Sequence, residues 1–290
     1  MSLLQLDQTV GNLGAVRTEV EKAEAVKSGL PAYMAEWDKA SLRVSELNRQ
    51  SRERNWGNAT VALQALAETA RAKTIPMLEG GRAFAVSTKP TDGLFPLGQA
   101  QGEAEFANFC ASLNLVRQGT PYPLRSLLPE LTSLQKKTNA AFQPPRSIEP
   151  HNRFIVLNSA LKLAQDLDAS KSYAGALYQY LYATLNYGLL DAAPLDAAQQ
   201  AVLKKALDEA DRKLETSQRD DSLAQLCLEY ARSQVAHADG SAPNSDDWRS
   251  AKVIIEQVLP AYYSAQQPPA SLEQASGKTV NITLVRWPYT

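Results

Sequence analysis

Side chains suited to metal or nucleophilic chemistry are scarce in this chain of 290 residues, which holds two histidines and two cysteines. His151 and His237 lie far apart, and neither sits in a Glu-x-x-His or paired-cysteine pattern, so no zinc or di-iron ligand set is spelled out. His151 follows Pro150 at a helix start, and His237 falls in the last turn of a helix, where a cation suits the dipole. Cys110 and Cys227 stand singly on helical faces and read as small buried hydrophobes. Ser133-Leu-Gln-Lys136 matches a Ser-x-x-Lys dyad but lacks the companion motifs of the penicillin-recognising enzymes, and Leu134 fits the inner face of a helix. Gly277-Lys278-Thr279 has the end of a phosphate loop, yet the residue that should be its first glycine is Leu272 and a strand pattern follows. No catalytic residue, metal or cofactor is expected from these motifs.

Tyrosine is the chemically suggestive residue. Five of the eleven tyrosines fall between Tyr173 and Tyr187. Tyr173, Tyr180 and Tyr187 recur every seven positions on one helical face; Tyr178 and Tyr182 share another with Leu185 and Leu189. Hydroxyls on two faces need polar partners or solvent. One reading is a concave surface offering Tyr178 and Tyr182, together with Trp248, to a protein or peptide; the other is a central helix packed on both sides with its hydroxyls at the rim. A different class of function would use a pocket between the helical layers and the 74–98 passage, with Arg82, Lys89 and Asp92 as its polar groups.

Composition narrows the partners. Thirty Lys and Arg against 31 Asp and Glu give a net charge of −1, which argues against a nucleic-acid clamp. Hydrophobic residues make up 44% of the chain, enough for a sizeable core. No stretch approaches 18 uncharged apolar residues, so no membrane span is expected. Met1-Ser2-Leu3 resembles an expression-vector leader, and periplasmic export with a removed signal is an expectation resting on that resemblance alone.

The elements that must position these residues are helical. Alanine (43) and leucine (38) fall into 3-4 spacings throughout. Leu3, Leu6, Val10, Leu13, Val16 and Val20 draw a stripe on a first helix ending near Lys27; Trp37, Ala40, Val44 and Leu47 draw one on a second. Asn55 is placed to cap a third helix carrying Trp56, Ala59, Leu63 and Leu66. From Thr74 to Gly102, Pro76, the Gly80-Gly81 pair, Pro90, Gly93, Pro96 and Gly98 predict irregular connection with one short helix at most. Further helices are predicted from Phe106 to Leu113, from Pro129, over 154–168, 173–190, 195–214 and 223–237, and from Trp248 to Ser264, with a loop at 238–247. Alternating β-branched residues at 278–287 predict a strand. One helical domain over 1–290 is expected. Its only suggested division lies near 74–102, between a helical part at 1–73 and another at 103–265 that carries the strand tail.

Three helix starts share an aromatic, an Ala three residues on, and apolar residues near seven and ten: Trp56/Ala59/Leu63/Leu66, Tyr173/Ala176/Tyr180/Ala183 and Trp248/Ala251/Ile255/Val258. Over 154–190 the pattern resembles a tetratricopeptide-like helical hairpin, especially Tyr173-x-x-Ala176-Leu177-x-x-Tyr180-Leu181-x-Ala183. The starts do not follow a 34-residue period, and the family's Trp-Leu-Gly pattern is missing. The resemblance implies an all-α array of antiparallel hairpins working as an interaction or scaffold module.

Overall fold

In a computed structural model the described residues, 3–85, 90–113, 119–142, 151–238 and 246–267, build an all-α protein. Its helices are α1 (Leu3–Val26), α2 (Leu30–Glu53), α3 (Val61–Ala85), α4 (Leu94–Ser112), α5 (Leu128–Ala141), α6 (His151–Ala169), α7 (Tyr173–Gly188), α8 (Ala197–Glu215), α9 (Ser222–Ala238), α10 (Asp246–Val253) and α11 (Leu259–Ala265). A 3-10 turn, Pro90–Gly93, precedes α4, and a π-helical turn, Ile254–Val258, joins α10 to α11. Among the described residues no helix is long and apolar enough to cross a membrane, and no group of three His, Cys, Asp or Glu could hold a metal ion. The strand expected over 278–287 lies outside the described residues.

Two apolar clusters hold the helices together. The smaller joins α1, α2, α4 and the end of α3 through Val26, Tyr33, Val44, Leu47, Leu78, Leu94 and Leu97. The larger runs from α3 and α4 through α5, α6, α7 and α9 to α11, with Phe106, Leu131, Leu157, Leu161, Leu181, Leu223 and Tyr262 at its centre.

The irregular passage expected at 74–102 is instead mostly helix. Helix α3 runs through Pro76 and the glycine pair to Ala85, and α4 begins at Leu94. A proline in mid-helix removes one hydrogen bond and crowds the preceding turn, so tertiary contacts must hold the segment. They come from α2: the indole Nε1 of Trp37 donates to the Leu78 carbonyl (3.0 Å), and the fully buried Tyr33 hydroxyl donates to the carbonyls of Gly81 (2.7 Å) and Gly93 (3.1 Å). Burial pushes the Tyr33 phenol up to about 12, so it stays a donor throughout the working pH range.

Two local expectations also change. Asn55 does not cap α3, which starts at Val61. The Asn55 side chain accepts from the Gly57 N–H in a turn, and Trp56 precedes the helix. Over its described part, the stripe expected to bury α1 does so only at Val10, half-buried against the larger core; Leu13, Val16 and Val20 face outward, 62%, 53% and 78% exposed. The face of α1 that packs is the one carrying Gly11, Gly14, Ala15 and Thr18, laid against Gly98 and Gly102 of α4.

Several helices start on carboxylates borrowed from other elements, which satisfy N–H groups a helix cannot pair internally. Asp220, before α9, accepts from the Val61 N–H at the start of α3 (3.0 Å), while the Ser222 hydroxyl accepts from Ala62 N–H (3.1 Å). Asp168, at the end of α6, accepts from Leu127 N–H (2.7 Å) and the Ser126 hydroxyl (2.7 Å) before α5. Glu68, inside α3, accepts from the Gly175 N–H of α7 (2.8 Å). By contrast α8 carries its own capping box, Asp196 with Gln199. These cross-element caps fix where α3, α5 and α7 begin, and α7 is the helix that carries the tyrosines.

Candidate functional site

Helix α7 runs through the larger core, between α3 and α6 and beside the π turn. Its turn from α6 is three residues long, and Lys171 takes a positive φ of 62° there. Because α7 is covered on several sides, its two tyrosine rows meet two different cavities.

The first cavity, about 550 Å³, is walled by Tyr178, Gln179, Leu181, Tyr182 and Leu185 of α7. Ile254 and Val258 of the π turn and Cys227 and Tyr230 of α9 complete that side. Facing them are Gly11 and Asn12 of α1, Lys73 and Met77 of α3, and Gln99 and Glu103 of α4. The two sides differ in character. The α7, α9 and π-turn side is aliphatic and aromatic, whereas the α1, α3 and α4 side is amide and ionic. Lys73 Nζ lies 3.4 Å from Glu103 Oε1, and Gln99 Nε2 donates to Asn12 Oδ1 at 3.4 Å. Tyr178 is 8% exposed and Tyr182 41%, so one ring sits within the wall and the other stands at the mouth. The Tyr230 phenol is raised by burial first and then by the neighbouring Tyr182 and Asp247, which keeps its proton available for donation.

The second cavity, about 620 Å³, lies on the opposite face of α7 and takes the other row, Tyr180 and Tyr187, with Thr184, Glu130, Lys137 and Gln257. Burial raises the Tyr180 phenol, and the charge of Glu130 adds to the rise. Glu130 is itself held by Arg125 at 2.5 Å.

Of the residues expected at a binding surface, the structure therefore brings Tyr178 and Tyr182 to one cavity. Trp248 lies elsewhere: it is 3% exposed within the larger core, with Lys204 Nζ 5.5 Å from its ring centre. Of the alternative polar group, Arg82 stacks its guanidinium over Trp37 at 5.3 Å and Asp92 is exposed in the 3-10 turn, and neither lines the first cavity. Lys89 lies outside the described residues.

Tyr230, Gln179, Asn12, Lys73, Gln99 and Glu103 stand in no sequence motif. Only the Tyr178-x-x-x-Tyr182 spacing is local enough to mark the site in the sequence. The rest come from helices far away in sequence and share no local pattern.

The lining offers hydroxyls, amides, one ion pair and an apolar floor, which suit holding a guest. It does not pair a nucleophile with a base. Burial pushes the Cys227 thiol up to about 12, the reverse of the lowered value a reactive cysteine needs. Cys227 is accordingly expected to resist alkylation at pH 8 in the folded protein and to react fully once denatured. Labelling followed by intact-mass measurement checks this, with free cysteine as the rate reference.

Compared with known proteins, the chain matches no protein-family model, no curated protein and no solved structure.

Proposed function

We propose that this protein is a non-catalytic binding module that receives a segment of a partner protein or peptide in the cavity beside Tyr178 and Tyr182. One observation carries the reading. The two tyrosines singled out by spacing line a single concave site with Tyr230 and Gln179, opposite an amide and ionic wall. Aromatic rings that are rigid and amphipathic anchor peptide side chains at low entropic cost, and an exposed ring beside a buried one provides a wet rim and a dry floor. The hairpin of α6 and α7 is the segment resembling a tetratricopeptide pair, and it supports a scaffold use of the whole array.

A second reading has an observation of its own. The cavity volume falls inside the 300–1,000 Å³ range of small-molecule sites, and its floor is apolar. On that reading the occupant is a small amphiphile.

Selection of peptides from a displayed library on the wild-type protein and on Tyr182→Ala tests the first reading. Enriched peptides are expected to bind Tyr182→Ala about 10-fold or more weakly, the loss typical of an anchoring aromatic. The melting temperature should barely move, because the ring is largely at the mouth. Peptides that bind both forms equally, or no enrichment at all, overturn it. Native mass spectrometry of the purified protein separates the second reading: a co-purified small molecule that Tyr182→Ala fails to retain transfers the site to that class.

A further inference from the structure

Gln179 of α7 is a buried amide that the fold leaves unpaired. The residue is 5% exposed and lines the first cavity, yet among the described residues its carboxamide meets no hydrogen-bond partner. A buried amide is ordinarily paired, because stripping its water without compensation is costly. Another buried amide of the same helix, Asn186, follows that rule and donates from Nδ2 to the Tyr182 carbonyl at 2.9 Å. The polar atoms of Gln179 are not sealed within the core either, so its carboxamide opens onto the cavity that the residue lines.

Helix geometry places this amide. Gly175 lies one turn earlier on the same face and gives its N–H to Glu68 of α3, so Gln179 stands on the α3 side of the cavity. Lys73 and Met77 of α3 continue along that side, with Glu103 of α4 held 3.4 Å from Lys73. Tyr178, Tyr182 and Tyr230 supply the rings, with Tyr182 at the mouth. Lys73 and Glu103 are one cation and one anion, so the lining offers a guest no net charge.

These features define the group that fits. A carboxamide presents an acceptor oxygen beside an NH2 donor, and its complement is a second carboxamide, with N–H to O bonds running both ways. An ionised group of either sign meets a like charge, from Glu103 or Lys73, and leaves half of the Gln179 amide unmatched. An aliphatic group leaves all of it buried and unpaired, which a site built to hydrogen-bond discriminates against strongly. Depth favours a side chain over a main chain, because Gln179 is buried well below the rim at Tyr182 and only a group on a stalk reaches it. We infer that the cavity reads an Asn or Gln side chain, which a partner segment inserts past Tyr182 to pair with Gln179. The inference rests on the peptide-binding reading of the same cavity and gives it a specificity-determining residue.

Peptides enriched from a displayed library on the full wild-type chain are the probe, with affinities measured by calorimetry. They are expected to share Asn or Gln at one position. Replacing that residue in the peptide by the near-isosteric Leu or Met should weaken binding to the wild type about 10-fold or more. The Gln179→Leu variant should be indifferent to the same replacement, a coupling that a merely structural role for Gln179 would not produce. Its melting temperature should not fall, since the side chain gives up no bond within the described protein. The peptide-side replacement on the wild type decides the matter even without a folded Gln179→Leu. Peptides that enrich and lose affinity for Tyr182→Ala, yet show no Asn or Gln preference, overturn this inference and leave the peptide-binding reading standing. Uniform weakening by Gln179→Leu with no preference at any position also overturns it, and gives the amide to the main chain of the guest. Absence of any enrichment overturns both.

Discussion

Gly98→Ala is expected to destabilise the protein by about 3 kcal/mol or more, or to release α1 from the bundle while the larger core stays folded. A Cβ at position 98 would lie 2.5 Å from the Gly14 carbonyl oxygen and 2.7 Å from the Ala15 Cα, and a Cβ at Gly14 would lie 2.5 Å from the Gly98 carbonyl oxygen. Those neighbours are main chain, so no rotamer change can make room and the helices must move apart. Separation would open the contact between α1 and α4, expose Val26 and Leu97, and displace Gly11 and Asn12 from the cavity wall. Gly80 is the matching control. It also sits inside a helix, but nothing lies within 4 Å of where its Cβ would be. Gly80→Ala should gain about 0.5–1 kcal/mol from helix propensity alone. Chemical denaturation of both variants checks the pair. If the two substitutions have equal effects, the close approach of α1 and α4 does not exist in solution.

The same contact shows how much of this fold could be read from the residues. Where a helix buries a stripe of large side chains and ends on ordinary signals, the periodicity located it. Leu131, Leu134 and Thr138 are the buried row of α5, and Val44 and Leu47 belong to that of α2. The α6–α7 turn likewise falls at the predicted Ala169–Ser172. Helix α1 is legible too, but three of its stripe residues, Leu13, Val16 and Val20, face outward. A packing face made of glycine, alanine and threonine has almost no hydrophobic contrast, so the outward residues carry most of the periodic signal. Proline and glycine were misleading across 74–102 for a related reason. Their local cost is real, but Tyr33 and Trp37, more than 40 residues away, offset it through hydrogen bonds to α3.

The cavity was half legible on the same grounds. Tyr178 and Tyr182 are four residues apart on one helix, and that spacing survives folding. Tyr230, Lys73 and Glu103 reach the site only because α9, α3 and α4 pack there. Trp248 shows the converse. Its spacing to Ala251, Ile255 and Val258 marks a helical face, yet such a pattern cannot separate an anchoring surface from a core, and this ring is core. The π turn at Ile254–Val258 left no mark in the spacing either, though it contributes to both cavities.

Glu68→Ala is expected to cost about 3 kcal/mol and to loosen the first turn of α7. The carboxylate is 6% exposed, accepting the Gly175 N–H on one oxygen at 2.8 Å and the Gln64 amide on the other at 2.8 Å. Removing it leaves a buried main-chain donor at a helix start with nothing to meet, worth about 1–3 kcal/mol, and deletes a negative charge from the positive end of the helix dipole. Glu68→Gln keeps an acceptor for Gly175 and should cost far less. The same pair isolates a pH effect. Burial raises the Glu68 carboxyl above its ordinary 4.5, outweighing the bonds from Gly175 and Gln64 and the charge of Arg71, which pull the other way. The folded state thus binds this proton more tightly than the unfolded chain. Between 4.5 and the higher folded value, the native state carries the extra proton, so this residue's contribution to stability is greatest below 4.5 and declines as pH rises through that window. Above the window it is constant. Unfolding free energies of wild type and Glu68→Gln measured from pH 4 to 8 should therefore diverge with rising pH, wild type losing ground, and then run parallel. Parallel curves throughout would mean that the carboxyl titrates as it does in the unfolded chain, the bonds from Gly175 and Gln64 then fully offsetting its burial.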